Sequence, residues 1–173
     1  AMITSMPPRA LPDAEQDGVK FATAVGAANL AALRAMTAEQ IQEAMTKAQG
    51  VRFSTVLDGY FLPKRLTDIF LAKEQAKVPL LAGTNSEEQG ARSILGASEP
   101  TPENFANAVK KLFGDRAADV LKVYAASTPD EVLQAATDLA SARFISHSTW
   151  KWTELHMQTG GKPVYRYFYT RIR

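Results

Sequence analysis

The sequence predicts a single α/β domain, rich in helix, with about three mainly parallel strands. Three observations predict it. Apolar, β-branched or aromatic stretches that suit strands fall near 1–4, 78–84 and 164–170. Segments of helical periodicity lie between them, the spacing that parallel strands need for their crossovers. Helix start signals precede two of those segments, where Thr101-Pro102 and Thr128-Pro129 each set a capping hydroxyl before a proline.

In chain order, residues 1–12 read as the end of a strand and a connector that Pro7, Pro8 and Pro12 hold extended. Residues 13–77 form a helical and hairpin region. Asp13 is a suitable N-cap for a helix to about Leu33, with Val19, Phe21, Ala22, Val25 and Ala28 along one face, although Gly18 and Gly26 weaken its ends. Thr37 and Gln40 have capping-box spacing and open a second helix that Gly50 can close. Asp58-Gly59, between β-branched and aromatic residues, predicts a hairpin or sharp bend, and Leu66, Ile69, Phe70 and Ala76 mark a short amphipathic helix. A strand and an acidic turn follow over 78–90. The helical region 91–161 holds a helix from Thr101 to Gly114, a short one over 115–124, and a run of about 30 residues from Thr128 to Gly160-Gly161. Residues 162–173, with "PVYRYFY" at their centre, read as the last strand.

Bulk properties exclude several classes of function. A chain of 173 residues with 46% hydrophobic and 22% charged side chains can bury a sizeable core. Its net charge of +2 comes from interspersed signs, without the basic cluster that nucleic acid requires. Without cysteine there is no disulfide, thiolate nucleophile or cysteine-ligated metal or iron–sulfur site. No apolar run reaches the roughly 18 residues of a membrane span. The first residues lack the pattern of a secretory signal and open in mid-phrase, as in a segment of a longer chain.

The chemistry-bearing stretch is "VPLLAGTNSEEQG", Val78 to Gly90, where a buried-type strand runs into a polar turn carrying Glu87 and Glu88. In open parallel sheets, functional groups gather beyond the carboxyl ends of strands. A solvated loop is the competing explanation. His147 and His156 lie within a helix and read as structural or surface histidines; nine residues apart, they cannot share a metal from one helical face. Ser5, Ser54, Ser86 and Ser93 have turn or capping contexts. Trp150, Trp152, Tyr165, Tyr167, Phe168 and Tyr169 read as packing residues with polar tips.

The phrases "VLDGYFLP", "VPLLAGTNSEEQG" and "PVYRYFYTR", in that order and with a long helix before the last, resemble the carboxyl-terminal portion of a type-B carboxylesterase. That is the carboxylesterase and cholinesterase family of the α/β-hydrolase superfamily. The resemblance covers nearly the whole chain and implies a partial α/β-hydrolase fold. Members carry a DG-x-F-x-P phrase and then a G-x-N-x-DEG turn, whose Glu is the acid of a Ser-Glu-His triad. By position, Asn85 matches the family Asn, Glu87 the Asp and Glu88 the triad acid. Gln89 replaces the usual Gly, which leaves Glu87 as the fallback acid. The resemblance implies a small-molecule ester substrate in the complete enzyme, with no cofactor and no metal. The nucleophile elbow G-x-S-x-G does not occur in these residues, and the family's histidine follows the strand matching Pro163 to Thr170. The implied segment therefore carries the triad acid only and is inactive alone. The alternative is a non-catalytic interaction module derived from the esterase fold. Either form would leave an open sheet edge, suited to self-association or to pairing with further enzyme segments. The chain is expected to be soluble, with a secreted or periplasmic location left open for the parent.

Overall fold

The computed structural model describes residues 7–48, 50–51 and 53–170. The strand expected over 1–4 lies outside them. The described chain divides into two compact units, one over 7–68 and one from 69 onward.

In the first unit, β1 (Arg9–Ala10) runs directly into α1 (Leu11–Ala24), so Pro12 occupies the first helical turn and the helix starts ahead of Asp13. The single helix expected to Leu33 is interrupted. Gly26 takes φ +72, and Asn29 then caps α2 (Leu30–Ala35) by accepting the Ala32 N–H at 2.9 Å. Thr37 and Gln40 form the reciprocal capping box of α3 (Ala38–Lys47), with bonds of 3.3 and 2.8 Å. β2 (Val56–Leu57) pairs parallel with β1, Arg9 opposite Val56. Asp58-Gly59 is consequently a sharp bend and not a hairpin turn. Its aspartate Oδ1 accepts the amides of Tyr60 and Leu62 at 3.0 and 2.9 Å while Gly59 adopts φ +75. Two contacts tie these elements together: buried Asp17 on α1 pairs with Arg9 at 2.5 Å, and buried Phe21 meets Phe53 edge-on at 5.6 Å. The unit ends inside α4 (Leu66–Leu71).

The second unit contains β3 (Leu80–Asn85) and, at its other end in sequence, β4 (Val164–Tyr169), paired parallel from Leu80 opposite Val164 to Asn85 opposite Tyr169. Helices fill the long crossover, as a parallel pair requires. They are α5 (Arg92–Leu95), α6 (Pro102–Phe113), a 3₁₀ turn (114–116), α7 (Ala117–Val123), α8 (Pro129–Ser141), a π-helical turn (142–146) and α9 (His147–Gly160). The threonine–proline starts behave as expected. Thr101 accepts the Asn104 N–H, and Thr128 with Glu131 completes a capping box. The long run after Thr128 is not one regular helix, because residues 142–146 widen into a π turn between α8 and α9. The core sits among α5, α6, α7 and α8, around fully buried Phe105, Val109, Val132 and Ala136 with Leu139 and Ala140. α9 lies against β3, and its Glu154 forms an ion pair with Arg166 of β4.

Candidate active site

β3 delivers the acidic turn to the carboxyl end of the sheet, one residue beyond the last register pair. The Ser86 N–H donates to the Tyr169 carbonyl at 2.9 Å, so the turn leaves the strand still tied to β4. Glu88 then folds back. Its Oε1 accepts the Asn85 N–H at 2.8 Å, closing a small ring over the strand end, and no described residue donates to its Oε2. Glu88 is half-buried, whereas Glu87 is exposed.

The turn is fixed from below by a residue that sequence reading missed. Ser141, the last residue of α8, is 3% exposed, and its hydroxyl meets three backbone groups of the turn. Oγ accepts the amides of Glu88 at 3.0 Å and Gln89 at 3.2 Å, and donates to the Gln89 carbonyl at 3.2 Å. One buried side chain thus satisfies polar groups that the turn would otherwise present to the protein interior. Ser141 ends the regular part of the helix, immediately before the π turn. π turns recur beside functional sites because they re-aim the side chains around them. The available signal was a small polar residue among apolar neighbours in "TDLASARF".

Of the described histidines and serines considered from sequence, Ser86 and Ser93 lie at this turn and the histidines do not. His156 is buried in α9, where its Nε2 lies 2.8 Å from the Val78 carbonyl. A carbonyl only accepts, so that nitrogen carries the proton and supports the start of the β3 segment. Its ring packs edge-on to Phe70 at 5.9 Å, and a side chain at Gly160 would crowd it at 3.1 Å. His147 is exposed, with its ring 5.7 Å from that of Trp150. Ser86 donates its amide to β4, and Ser93 donates its hydroxyl to Gln89 Oε1 at 2.9 Å. Ser54 lies in the first unit, and Ser5 lies outside the described residues. The aromatics expected to be packing residues divide. Trp150, Tyr165, Tyr167, Phe168 and Tyr169 are all exposed, while Trp152 is half-buried. Among the described residues no group of His, Asp and Glu is arranged to hold a metal.

The arrangement can do one chemical task. A half-buried carboxylate at the carboxyl rim of a parallel sheet, with one oxygen restrained and the other without a hydrogen bond from any described residue, can accept an N–H from an imidazole presented from outside. No family model and no curated relative matches the sequence. In three dimensions, the chain is similar to carboxylesterase EST55 of Geobacillus stearothermophilus, with a TM-score of 0.64 at 16% identity. The chain has the fold of part of a carboxylesterase. A second structure of the same enzyme gives a TM-score of 0.61 at 14% identity. The likeness takes in 95% of this chain and 36% of the larger enzyme, so the chain spans about a third of its length. The helix-rich, parallel arrangement is a partial α/β-hydrolase fold, as the three phrases in the sequence imply.

Proposed function

We propose that these residues form the acid-bearing segment of a carboxylic ester hydrolase of the type-B carboxylesterase kind, with Glu88 as the acid of its Ser-Glu-His triad. The observation that carries this reading is the Glu88 turn, held at the carboxyl rim of β3 by Ser141, with one carboxylate oxygen that no described residue hydrogen-bonds. The order of the DG-x-F-x-P and acid-turn phrases supports it. So does the likeness in fold to a carboxylesterase. In the reaction, Glu88 accepts the Nδ1–H of the triad histidine, fixes its tautomer and stabilises the imidazolium formed as serine attacks the ester carbonyl. The nucleophile and the base are not supplied by the described part of this chain. The substrate is a small carboxylic ester.

Two measurements test the reading. The 173-residue chain should show no turnover of p-nitrophenyl acetate above background. In a protein that joins these residues to a G-x-S-x-G segment and a following histidine, Glu88→Gln should lower kcat by roughly three to four orders of magnitude. Unchanged kcat in Glu88→Gln together with loss in Glu87→Gln would transfer the role to Glu87. Unchanged kcat in both would remove the triad assignment.

One observation favours a second reading, a non-catalytic interaction module. The face of β4 bearing Tyr165, Tyr167 and Tyr169 is exposed together with Leu81 of β3. If that face serves a protein partner, binding should survive Glu88→Gln and be lost in Tyr167→Ala.

A further inference from the structure

An open hollow in the second unit, separate from the acid turn, lies where α6, the 3₁₀ turn, α7, α8, the π turn and the start of α9 meet. It measures about 520 Å³, within the range of small-molecule sites. Its floor is Leu139 and its walls are Phe113, Val120 and Tyr124, so most of the lining is apolar. Its charged lining is of one sign. Arg116 and Arg143 both border it, and no carboxylate lines it. Neither guanidinium makes an ion pair with a described residue; Arg143 lies over the Phe113 ring, 5.7 Å from its centre. Tyr124 stays a neutral phenol at physiological pH, because burial and then the charge of Asp138 raise its pKa.

We propose that this hollow binds a small organic monoanion with an apolar body, an aliphatic or aryl carboxylate. The carboxylate would lie between Arg116 and Arg143 and the hydrocarbon against Val120 and Leu139. Two features select this class. Guanidinium matches carboxylate in a two-pronged geometry that a neutral head group does not provide. The apolar walls reward a hydrocarbon body, which inorganic anions lack. This site does not depend on the esterase reading, since it shares no residue with the Glu88 turn.

Equilibrium dialysis with radiolabelled decanoate tests the proposal on the chain as it stands, and counts ligand per chain whatever its state of association. Saturable binding of one decanoate per chain is expected. Decanol should bind at least about tenfold more weakly, and so should decanoate to Arg143→Gln or Arg116→Gln, for the loss of a charged hydrogen-bonding partner. Arg143→Lys should recover part of the affinity, and far-ultraviolet circular dichroism should show all variants folded. A second substitution, Val120→Asp, places a like charge against the ligand and should abolish binding. Equal binding of decanoate and decanol, indifference to both Arg→Gln substitutions, or no saturable decanoate binding would each overturn the proposal.

Discussion

Ser141 is the residue on which the acid turn depends most directly. Replacing it with alanine removes three hydrogen bonds at once and leaves the amides of Glu88 and Gln89 facing a buried position without their acceptor. Ser141→Ala should therefore cost about 1–3 kcal/mol in urea denaturation. The amides of residues 88 and 89 should also exchange much faster than the rest of the unit. Protection unchanged at those two amides would show that the hydroxyl does not hold the turn. Lys73 offers the opposite case. It closes α4 with φ +61, and the Glu74 amide reaches back to the Ile69 carbonyl at 3.0 Å, a helix ending in which glycine is the usual residue. Lys73→Gly should raise stability by about 0.5–1 kcal/mol, read as a higher urea midpoint with unchanged slope. Asp58 sets a pH limit. The amides of Leu62 and Tyr60 hold its carboxyl below the usual aspartate range in the folded chain. Its folded pKa is thus lower than its unfolded one. The stability it adds is complete above the unfolded value and is lost as pH falls through the folded value, below about pH 4. Asp58→Asn should flatten that acid limb by lowering the neutral plateau toward the acid value, read as urea-denaturation stability against pH.

Among the elements, the β3–β4 pair places the tightest demand on sequence. Gly83 stands opposite Tyr167, and a Cβ built on Gly83 overlaps the Tyr167 carbonyl and ring. Backbone cannot yield as a flexible side chain does, so Gly83→Ala should force the strands apart, cost about 1–3 kcal/mol and lower the melting temperature. A variant as stable as the parent would mean that the pair is looser than described. The same pair shows what was legible in the residues. Strands at 78–84 and 164–170 could be read because apolar and aromatic side chains concentrate there, and Thr101-Pro102 and Thr128-Pro129 announced their helices because capping is local chemistry. Boundaries that depend on partners could not be read. Nothing in "ARFIS" distinguishes a π turn from regular helix, and Asp13 looked like a cap while Pro12 was already helical. β1 and β2 are two residues each, and only their pairing makes them strands. At the candidate site, the acidic turn was legible from its place after a strand, and only the resemblance of its phrase singled out Glu88 over Glu87. Ser141 was not legible, because it lies 53 residues from Glu88 in sequence and meets the turn only in the fold.

At the scale of the whole chain, the second unit carries more apolar surface than its own helices cover. α9 packs on the sheet face that contains buried Ala82, and the opposite face of the same two strands keeps Leu81 70% exposed beside Tyr165, Tyr167 and Tyr169. Among the described residues, no third strand pairs with β3 or β4. Unpaired strand edges and a contiguous aromatic face both favour association, the first through backbone hydrogen bonds and the second through burial of area. The similar enzyme is nearly three times longer than the stretch this chain matches, which fits a sheet that is continued by further chain in that protein. The isolated 173-residue chain should therefore elute from size-exclusion chromatography as a dimer or larger species at micromolar concentration. Because the contact is largely apolar, the assembly should resist 0.5 M salt, which weakens exposed ion pairs. Tyr167→Lys with Leu81→Lys puts two like charges on the uncovered face and should shift the chain toward monomer without unfolding α6 or α8. A parent chain that runs as a stable monomer would mean that its own residues cover this face, and it would remove the case for a partner there.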